Sequence, residues 1–410
     1  MVQPLENSRQ EQAEEDFLPY GRHLIDEADV AAVVAALRGE RLAHGPKVGE
    51  FEAAFAAATG APEAVACSSG TAALHLALAA LDLGPGDVCI VPAITFLATA
   101  TAARLCGAEV VFADVDPSSG LLTAETFETA RRRAGRKVKC VVAVHLGGRI
   151  CRMDEISEAA RPLGVQVVED ACHALGGRDG QADAVGACAW SDAAAFSFHP
   201  VKTIAAGEGG MVATRDPERA ARMRRLANQG VTKDLAAITD ADLSLDAEGR
   251  LNPWSYEQTE LGFNYRMNEI EAALGLSQLS KLDLFVRRRR ELSLLYDLTL
   301  EPLGPVVQPV RPGAAGQRIS PHLHQVLIDF DSAGVDRATV MRRLAKRGVG
   351  TQVHYIPVYR QPYFAQRYGE MRLEGAEAFY MRVLALPLFP AMRNQDIERV
   401  ASALAEALGL

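Results

Sequence analysis

A lysine that follows an apolar run is the residue of this sequence with the clearest chemical use. Lys202 follows the run of residues 196–201, and the glycine-rich turn of residues 207–210 comes soon after it. Burial disfavours an ammonium ion and lowers the lysine pKa, so that the free amine becomes a nucleophile that forms imines with carbonyl groups. The competing interpretation is a lysine in a surface loop, and this segment alone does not decide between the two.

An acid ends a second apolar run, upstream of this lysine. Asp170 follows the apolar residues 167–168 and Glu169, and His173 comes three positions later. When the two runs are neighbouring strands, Asp170 and Lys202 meet at one edge of a sheet. An acid that pairs with a pyridinium nitrogen and a lysine that binds an aldehyde are what a pyridoxal phosphate (PLP) site needs. The two runs together therefore favour the imine-forming lysine and predict PLP as the cofactor.

The turn at Ser69, Gly70 and Thr71 offers a place for the phosphate group. It lies where an apolar run gives way to a helical pattern. Backbone N–H groups and the helix dipole bind anions at such a turn, and the Thr71 hydroxyl adds a donor. An ordinary helix cap explains these residues better on their own, but the acid and the lysine on later strands favour phosphate. Phe96, at the next such turn, could stack on a flat ring, although core packing explains it equally well.

Alternating strands and helices must position these residues. The predicted strands are the apolar runs at residues 64–67, 88–91, 109–112, 139–145 and 165–169. Helical patterns separate them, at residues 72–81, 95–105 and 153–163. Continuous apolar strands separated by helices are typical of a mostly parallel sheet that is covered on both faces. The sequence therefore predicts an α/β fold.

The second half of the chain has a different pattern. Residues 231–255 form a long polar stretch, and a loop of this length inside a compact protein is usually functional or mobile. One long helix is predicted over residues 266–298. A strand at residues 322–328, a helix at residues 338–347 and two late helices then predict a smaller α+β unit.

Composition limits the partners and the compartment. The 410 residues carry a net charge of −9, which argues against a nucleic-acid partner. Residues 1–15 lack the apolar run of a signal peptide, and no segment approaches the ~20 apolar residues of a membrane span. Seven cysteines without CxxC spacing predict reduced thiols and a cytoplasmic protein. His322 and His324 could chelate a metal, but alternation along a strand explains them better, so no metal site is predicted.

Four motifs agree in order and spacing with a known enzyme family. They are Asp-Ala-Cys-His-Ala-Leu-Gly at residues 170–176, Ser-Phe-His-Pro-Val-Lys at 197–202, Gly-Glu-Gly-Gly-Met-Val at 207–212 and Gly-Phe-Asn-Tyr-Arg-Met-Asn-Glu-Ile-Glu-Ala-Ala-Leu-Gly at 262–275. From about Tyr20 to the C-terminus, the chain resembles the DegT/DnrJ/EryC1/StrS family of PLP-dependent nucleotide-sugar aminotransferases. Residues 198–202, 254–258 and 352–359 most resemble its subgroup of UDP-4-amino-4,6-dideoxy-N-acetyl-β-L-altrosamine transaminases, which serve pseudaminic acid synthesis.

The resemblance implies a fold and its division into domains. The fold is the PLP-dependent transferase fold type I, with a mixed, mostly parallel seven-stranded sheet in a large domain over residues 16–257. A long linking helix and a small C-terminal α+β domain would occupy residues 258–410. Residues 1–15 would form a flexible N-terminus.

The resemblance also implies roles for individual residues. Lys202, Asp170 and His173 would be catalytic, with Lys202 bound to PLP and Asp170 paired with its pyridine nitrogen. The implied cofactor-binding residues are Gly70, Thr71, Phe96, Asp170, His173, Ser197, Lys202 and Asn264. The implied substrate-binding residues are Tyr20, Leu42, Gly70, Ser197, Asn264, Gln352, His354 and Tyr355.

The reaction that the resemblance implies is transamination. L-Glutamate would donate the amino group, and C4 of a UDP-linked keto-sugar would receive it. The enzyme would be a homodimer with shared sites, in which Asn264 reaches the phosphate of the partner's cofactor. It would act on neither nucleic acid nor membranes. The alternatives are a transaminase for another keto-sugar, such as one for legionaminic acid, bacillosamine, perosamine or an antibiotic sugar, and a non-catalytic regulatory protein on this fold.

Overall fold

The computed structural model describes residues 17–135, 137–180, 183–310 and 313–410. The flexible N-terminus expected over residues 1–15 lies outside this described part. Within the described ranges, no helix combines the length and the apolar character needed to cross a bilayer.

A seven-stranded sheet forms the larger core. Its strands are β1 Glu63–Cys67, β2 Val88–Pro92, β3 Glu109–Ala113, β4 Cys140–Val144, β5 Gln166–Asp170, β6 Ala193–Ser197 and β7 Gly210–Thr214. They lie in the order β1-β7-β6-β5-β4-β2-β3. Strand β7 is antiparallel to both of its neighbours, and the other pairs are parallel. The predicted α/β class, with a mixed and mostly parallel seven-stranded sheet, is confirmed.

Helices surround this sheet, and most of them contact its strands directly. They are α1 Glu27–Leu37, α2 Pro46–Thr59, α3 Gly70–Ala80, α4 Leu97–Leu105, α5 Ala124–Arg133, α6 Met153–Ala160 and α7 Pro217–Ala227. Every residue of β2, β4 and β7 is buried. Strands buried on both faces need apolar side chains at every position, which explains the continuous runs in the sequence.

The carboxyl edge of the sheet collects the turns that were predicted to carry the chemistry. Strand β1 leads through Ser69 into α3, and the Ser69 hydroxyl caps this helix by accepting the Ala72 N–H at 3.1 Å. Strand β2 leads through Phe96 into α4. Asp170 is the last residue of β5, and Lys202 follows the end of β6. Since β1 and β2–β6 all run in one direction, these turns meet at the same edge.

A second core surrounds a small antiparallel sheet. The short elements β8 Val231–Thr232, α8 Ala241–Ser244 and β9 Glu257–Gln258 precede it, and its strands are β10 Val307–Pro309, β11 His324–Ile328 and β12 Val383–Leu386. The later helices are α9 Glu269–Leu279, α10 Leu282–Leu300, α11 Arg337–Lys346, α12 Pro362–Tyr368, α13 Glu374–Arg382 and α14 Asn394–Leu408. Leu292, Val326, Val340 and Leu404 are fully buried in this core. The division of the chain at residue 257 stays a prediction.

The single long helix predicted over residues 266–298 is wrong, because the structure has two helices there. Helices α9 and α10 are separated at Ser280 and Lys281. The Lys281 ammonium forms ion pairs at 2.7 Å with Asp26 and Asp29, at the start of α1. Helix α9 packs on α1, whereas α10 packs on α14 in the second core. Neither Gly nor Pro marks the break, so the helical pattern continues through it. The late helices also number three, α12 to α14, where two were predicted.

Candidate active site

A cavity of about 850 Å³ opens at the carboxyl edge of the seven-stranded sheet. The turns after β1, β2, β5 and β6 form one side of it, and residues 352–356 form the other. The predicted site residues that line it are Tyr20, Gly70, Thr71, Phe96, Asp170, His173, Ser197, Lys202, Gln352, His354 and Tyr355. Leu42 and Asn264 lie outside it, on exposed surface.

Lys202 reaches the cavity from the turn that follows β6. Its backbone N–H donates to the His199 carbonyl at 2.8 Å and closes this turn. Burial lowers the pKa of the Lys202 amine, and the nearby Cys172 and Asp170 oppose this shift. A lowered pKa increases the fraction of the neutral amine, which is the form that attacks a carbonyl carbon.

Asp170 presents an ordered carboxylate at the end of β5. Its side chain is buried, and Oδ2 accepts the hydroxyl of Thr99 at 2.7 Å. Oδ1 accepts the backbone N–H of Cys172 at 3.3 Å. Both hydrogen bonds fix the orientation of the carboxylate. An ionised carboxylate in this position can retain the proton of a pyridinium nitrogen.

Two turns approach closely and form a cradle of hydrogen-bond donors. Gly70 is the first residue of α3, and a Cβ atom added there would lie 2.6 Å from the Cβ of Ser197. Only glycine therefore lets the start of α3 lie against the end of β6. The Thr71 and Ser197 side chains flank this helix N-terminus, whose first N–H groups have no partner within the helix. The cradle suits a phosphate group.

Aromatic rings and a neutral histidine line the space beside the cradle. The ring centroids of Phe96 and Tyr355 are 5.9 Å apart, and His173 stacks near Tyr355 with an interplanar angle of 24°. His173 Nδ1 accepts the Gly147 N–H at 3.2 Å, and burial lowers the pKa of this histidine well below its usual range. The neutral ring therefore carries its proton on Nε2. Such walls suit a flat heteroaromatic ring.

Two features of this site were not predicted from the sequence. His322 lines the cavity with its ring centroid 4.4 Å from that of His173, and its buried Nδ1 has no partner among the described residues. The strand begins only at His324, so His322 lies in the loop ahead of it. The second feature is the contact of Thr99 with the acid. The spacing of Thr95 and Thr99, four residues apart at a helix start, places the two hydroxyls on one face, but nothing in the local sequence indicates Asp170 as their partner.

The residues around the cavity fit PLP. The cradle matches the phosphate of PLP, Asp170 matches its ring nitrogen, and the Lys202 amine, whose pKa is lowered by burial, matches its aldehyde. Lys202 is the only lysine or arginine among the described residues that line the cavity. Neutral hydroxyl and N–H donors must therefore bind the phosphate from within this chain.

The sequence is similar to known proteins over nearly its whole length. The profile of the DegT/DnrJ/EryC1/StrS aminotransferase family matches residues 23–405. The spore coat polysaccharide biosynthesis protein SpsC of Bacillus subtilis is 37% identical over 391 residues, which are 95% of this chain and 96% of SpsC.

Two solved structures extend this similarity to the fold. Helicobacter pylori PseC, an aminotransferase involved in the biosynthesis of pseudoaminic acid, has a TM-score of 0.86 and 27% identity, over 96% of this chain and 99% of PseC. The PMP form of Spr1654, a putative sugar aminotransferase from Streptococcus pneumoniae, has a TM-score of 0.85 and 26% identity with the same coverage. The expected family, enzyme class and cofactor are thereby confirmed: the chain belongs to the DegT/DnrJ/EryC1/StrS aminotransferase family and is a PLP-dependent sugar aminotransferase.

Proposed function

We propose that this enzyme transfers an amino group from L-glutamate to C4 of a UDP-linked 4-keto-6-deoxy-N-acetylhexosamine. The product would be UDP-4-amino-4,6-dideoxy-N-acetyl-β-L-altrosamine, for pseudaminic acid and surface glycans. The observation that carries the amino-transfer chemistry is the half-buried Lys202, whose amine pKa is lowered by burial, in one cavity with Asp170. The choice of sugar is supported by the similarity to PseC and by the motifs at residues 198–202 and 352–359.

The groups nearest Lys202 have distinct tasks in this proposal. PLP, when bound, supplies an electron sink for the pair released as a C–H bond breaks. Asp170, oriented by two hydrogen bonds, would hold the proton on the ring nitrogen. The Lys202 amine, whose pKa is lowered by burial, takes the proton from one carbon as a general base and returns it to another as a general acid.

The remaining cofactor contacts follow from the cradle and the rings. Gly70, Thr71 and Ser197 would hold the phosphate at the start of α3, where the helix dipole also favours an anion. Phe96 would contact a face of the ring. His173, neutral and carrying its proton on Nε2, would donate a hydrogen bond to the ring hydroxyl.

The wall opposite the sheet is proposed to bind the sugar nucleotide. The ring centroids of Tyr20 and His354 are 5.4 Å apart. Burial lowers the pKa of His354 to about 3, and its buried Nδ1 has no partner among the described residues. A neutral imidazole can bond a sugar or pyrophosphate oxygen, and Tyr20 can pack on the sugar or the uracil. Gln352 and Tyr355 extend the same wall.

A second copy of the chain is proposed to complete each site. Leu42 and Asn264 lie on exposed surface, although the family motifs assign both to ligand binding. Trp254 and Leu261, near Asn264 in the chain, are 73% and 83% exposed. Large exposed apolar side chains are typical of an interface, and a homodimer formed here would bring Asn264 to the partner's cofactor phosphate. We also propose a cytoplasmic location, since the seven cysteines are free thiols.

Another nucleotide keto-sugar is the second candidate substrate, and the 37% identity to SpsC favours it. The test offers UDP- and dTDP-linked 4-keto sugars to the purified enzyme with L-glutamate, and determines each product's configuration by NMR. We expect the 4-keto-L-arabino-hexulose derivative of UDP-N-acetylglucosamine to be preferred over its D-xylo isomer. The reverse preference would overturn the pseudaminic acid assignment and leave amino transfer standing.

A further inference from the structure

Two threonine hydroxyls connect helix α4 to the carboxylate of Asp170. Thr99 Oγ1 lies 2.7 Å from Asp170 Oδ2, and Thr95 Oγ1 lies 2.7 Å from Thr99 Oγ1. Thr95 is 1% exposed, Thr99 is fully buried and Asp170 is 6% exposed. The three groups therefore form a buried chain of hydrogen bonds that ends at the cavity wall, where Asp170 lies.

The direction of these hydrogen bonds is fixed by the chemistry of the groups. Thr99 donates its single hydroxyl proton to Asp170 Oδ2. Thr99 can then only accept in its contact with Thr95, so Thr95 is the donor there. The chain runs from Thr95 through Thr99 to the acid, and each bond polarises the next in this buried setting.

The contact is not the usual one for a threonine in a helix. Threonine hydroxyls in helices commonly bond back to a carbonyl of the preceding turn. Thr59 and Thr299 do so, with Phe55 at 2.9 Å and Leu295 at 2.7 Å. Thr99 instead reaches across to the end of β5, which indicates a task outside its own helix.

We propose that Thr95 and Thr99 are positioning residues that orient the Asp170 carboxylate toward the ring nitrogen of PLP. A hydrogen bond to the charged form of an acid makes that acid less basic. The proton shared between Asp170 and the ring nitrogen of PLP then stays on the nitrogen and does not move to the carboxylate. This inference rests on the proposed pairing of Asp170 with the ring nitrogen.

The test compares Thr99→Val, which removes the hydroxyl and keeps the shape, with Thr99→Ser, which keeps the hydroxyl. Thr101→Val is the matched control, because Thr101 lies on the same helix and is partly exposed. Each holoenzyme is loaded with PLP that carries ¹⁵N in the ring, and solid-state NMR then reports the protonation of that nitrogen. PLP dissociation constants are measured alongside.

We expect wild type, Thr99→Ser and Thr101→Val to show a protonated ring nitrogen. Thr99→Val should shift the ¹⁵N signal toward neutral pyridine and weaken PLP binding about tenfold, as expected for a lost hydrogen bond to a charged group. Thr95→Val should cause a smaller shift in the same direction. If Thr99→Val binds no PLP, recovery of PLP binding in Thr99→Ser supports the role of the Thr99 hydroxyl.

Other results would overturn the inference. A Thr99→Val enzyme with the wild-type ¹⁵N signal and PLP affinity would show that the hydroxyl serves packing alone. A Thr95→Val enzyme with the wild-type ¹⁵N signal would show that Thr95 has no part in positioning Asp170. Equal loss of PLP binding in Thr99→Val and Thr99→Ser would also contradict it. A neutral ring nitrogen in the wild type is a distinct result, because it would refute the proposed role of Asp170 itself.

Discussion

Replacing Gly70 by alanine tests the cradle directly, because the structure gives the size of the clash. The new Cβ would lie 2.6 Å from the Cβ and 3.0 Å from the Oγ of Ser197, whereas carbon atoms in contact lie ~3.5–4.0 Å apart. The start of α3 must therefore move away from β6 by roughly 1 Å. Such overpacking costs ~1–3 kcal/mol of the free energy of unfolding. A shift of this size also breaks hydrogen bonds at the phosphate, which lowers PLP affinity by ~10- to 100-fold.

A matched control exists in the neighbouring helix. Gly49 lies in α2, and an added Cβ would meet no atom within 4 Å. Gly49→Ala should therefore stabilise the protein by ~0.5–1 kcal/mol through helix propensity and leave PLP affinity unchanged. Two measurements test this prediction. Urea unfolding of the PLP-free proteins gives the free energy of unfolding, and titration with PLP, followed by absorbance, gives the PLP affinity. If Gly70→Ala matched Gly49→Ala in both measurements, the cradle would not be the phosphate site.

The remaining predictions concern the proposed catalytic and substrate residues. Lys202→Ala should lower turnover by several orders of magnitude with folding nearly intact, and more than about a tenth of wild-type activity without added amines would refute its role. Asp170→Asn should still bind PLP but slow the single-turnover reaction with glutamate; an unchanged rate would assign the task to another acid. Mixing Lys202→Ala with Asn264→Ala subunits should restore activity, because each mixed dimer has one site with Lys202 from one subunit and Asn264 from the other. No recovery, despite proven exchange of subunits, would contradict a shared site. His354→Ala and Tyr20→Ala should each raise KM for the keto-sugar and leave the glutamate half-reaction unchanged; equal damage to both half-reactions would move these residues out of the sugar site.

The strands and the residues at their ends could be predicted because local sequence determines them. Each apolar run between residues 64 and 169 is a strand of the sheet, and Asp170 stands at the end of β5 as expected. Strands buried on both faces require apolar residues at every position, so the signal is strong even without alternation. The polar residue that ends such a run then lies at the sheet edge, where Lys202 was also expected.

The parts that could not be predicted depend on contacts between distant segments. The break between α9 and α10 accompanies ion pairs of Lys281 with Asp26 and Asp29, which lie near the start of the described chain. Thr99 finds its partner Asp170 only when the start of α4 meets the end of β5. His322 resembled one position of an alternating strand until the structure placed it ahead of β11.

The pairing of β1 has a consequence for how the enzyme is made. Strand β1 lies at the edge of the sheet and pairs with β7, with Glu63 opposite Thr214. During synthesis from the N-terminus, β1 must wait until β7 has left the ribosome before its backbone hydrogen bonds can form, and such distant pairing is slow. The cradle joins the turn after β1 to the end of β6, and β7 lies between these strands. A nascent chain that stops before residue 210 would contain Thr71, Asp170 and Lys202 and still have no assembled place for phosphate. The cofactor phosphate can therefore bind only after β7 has been synthesised and has paired with β1 and β6.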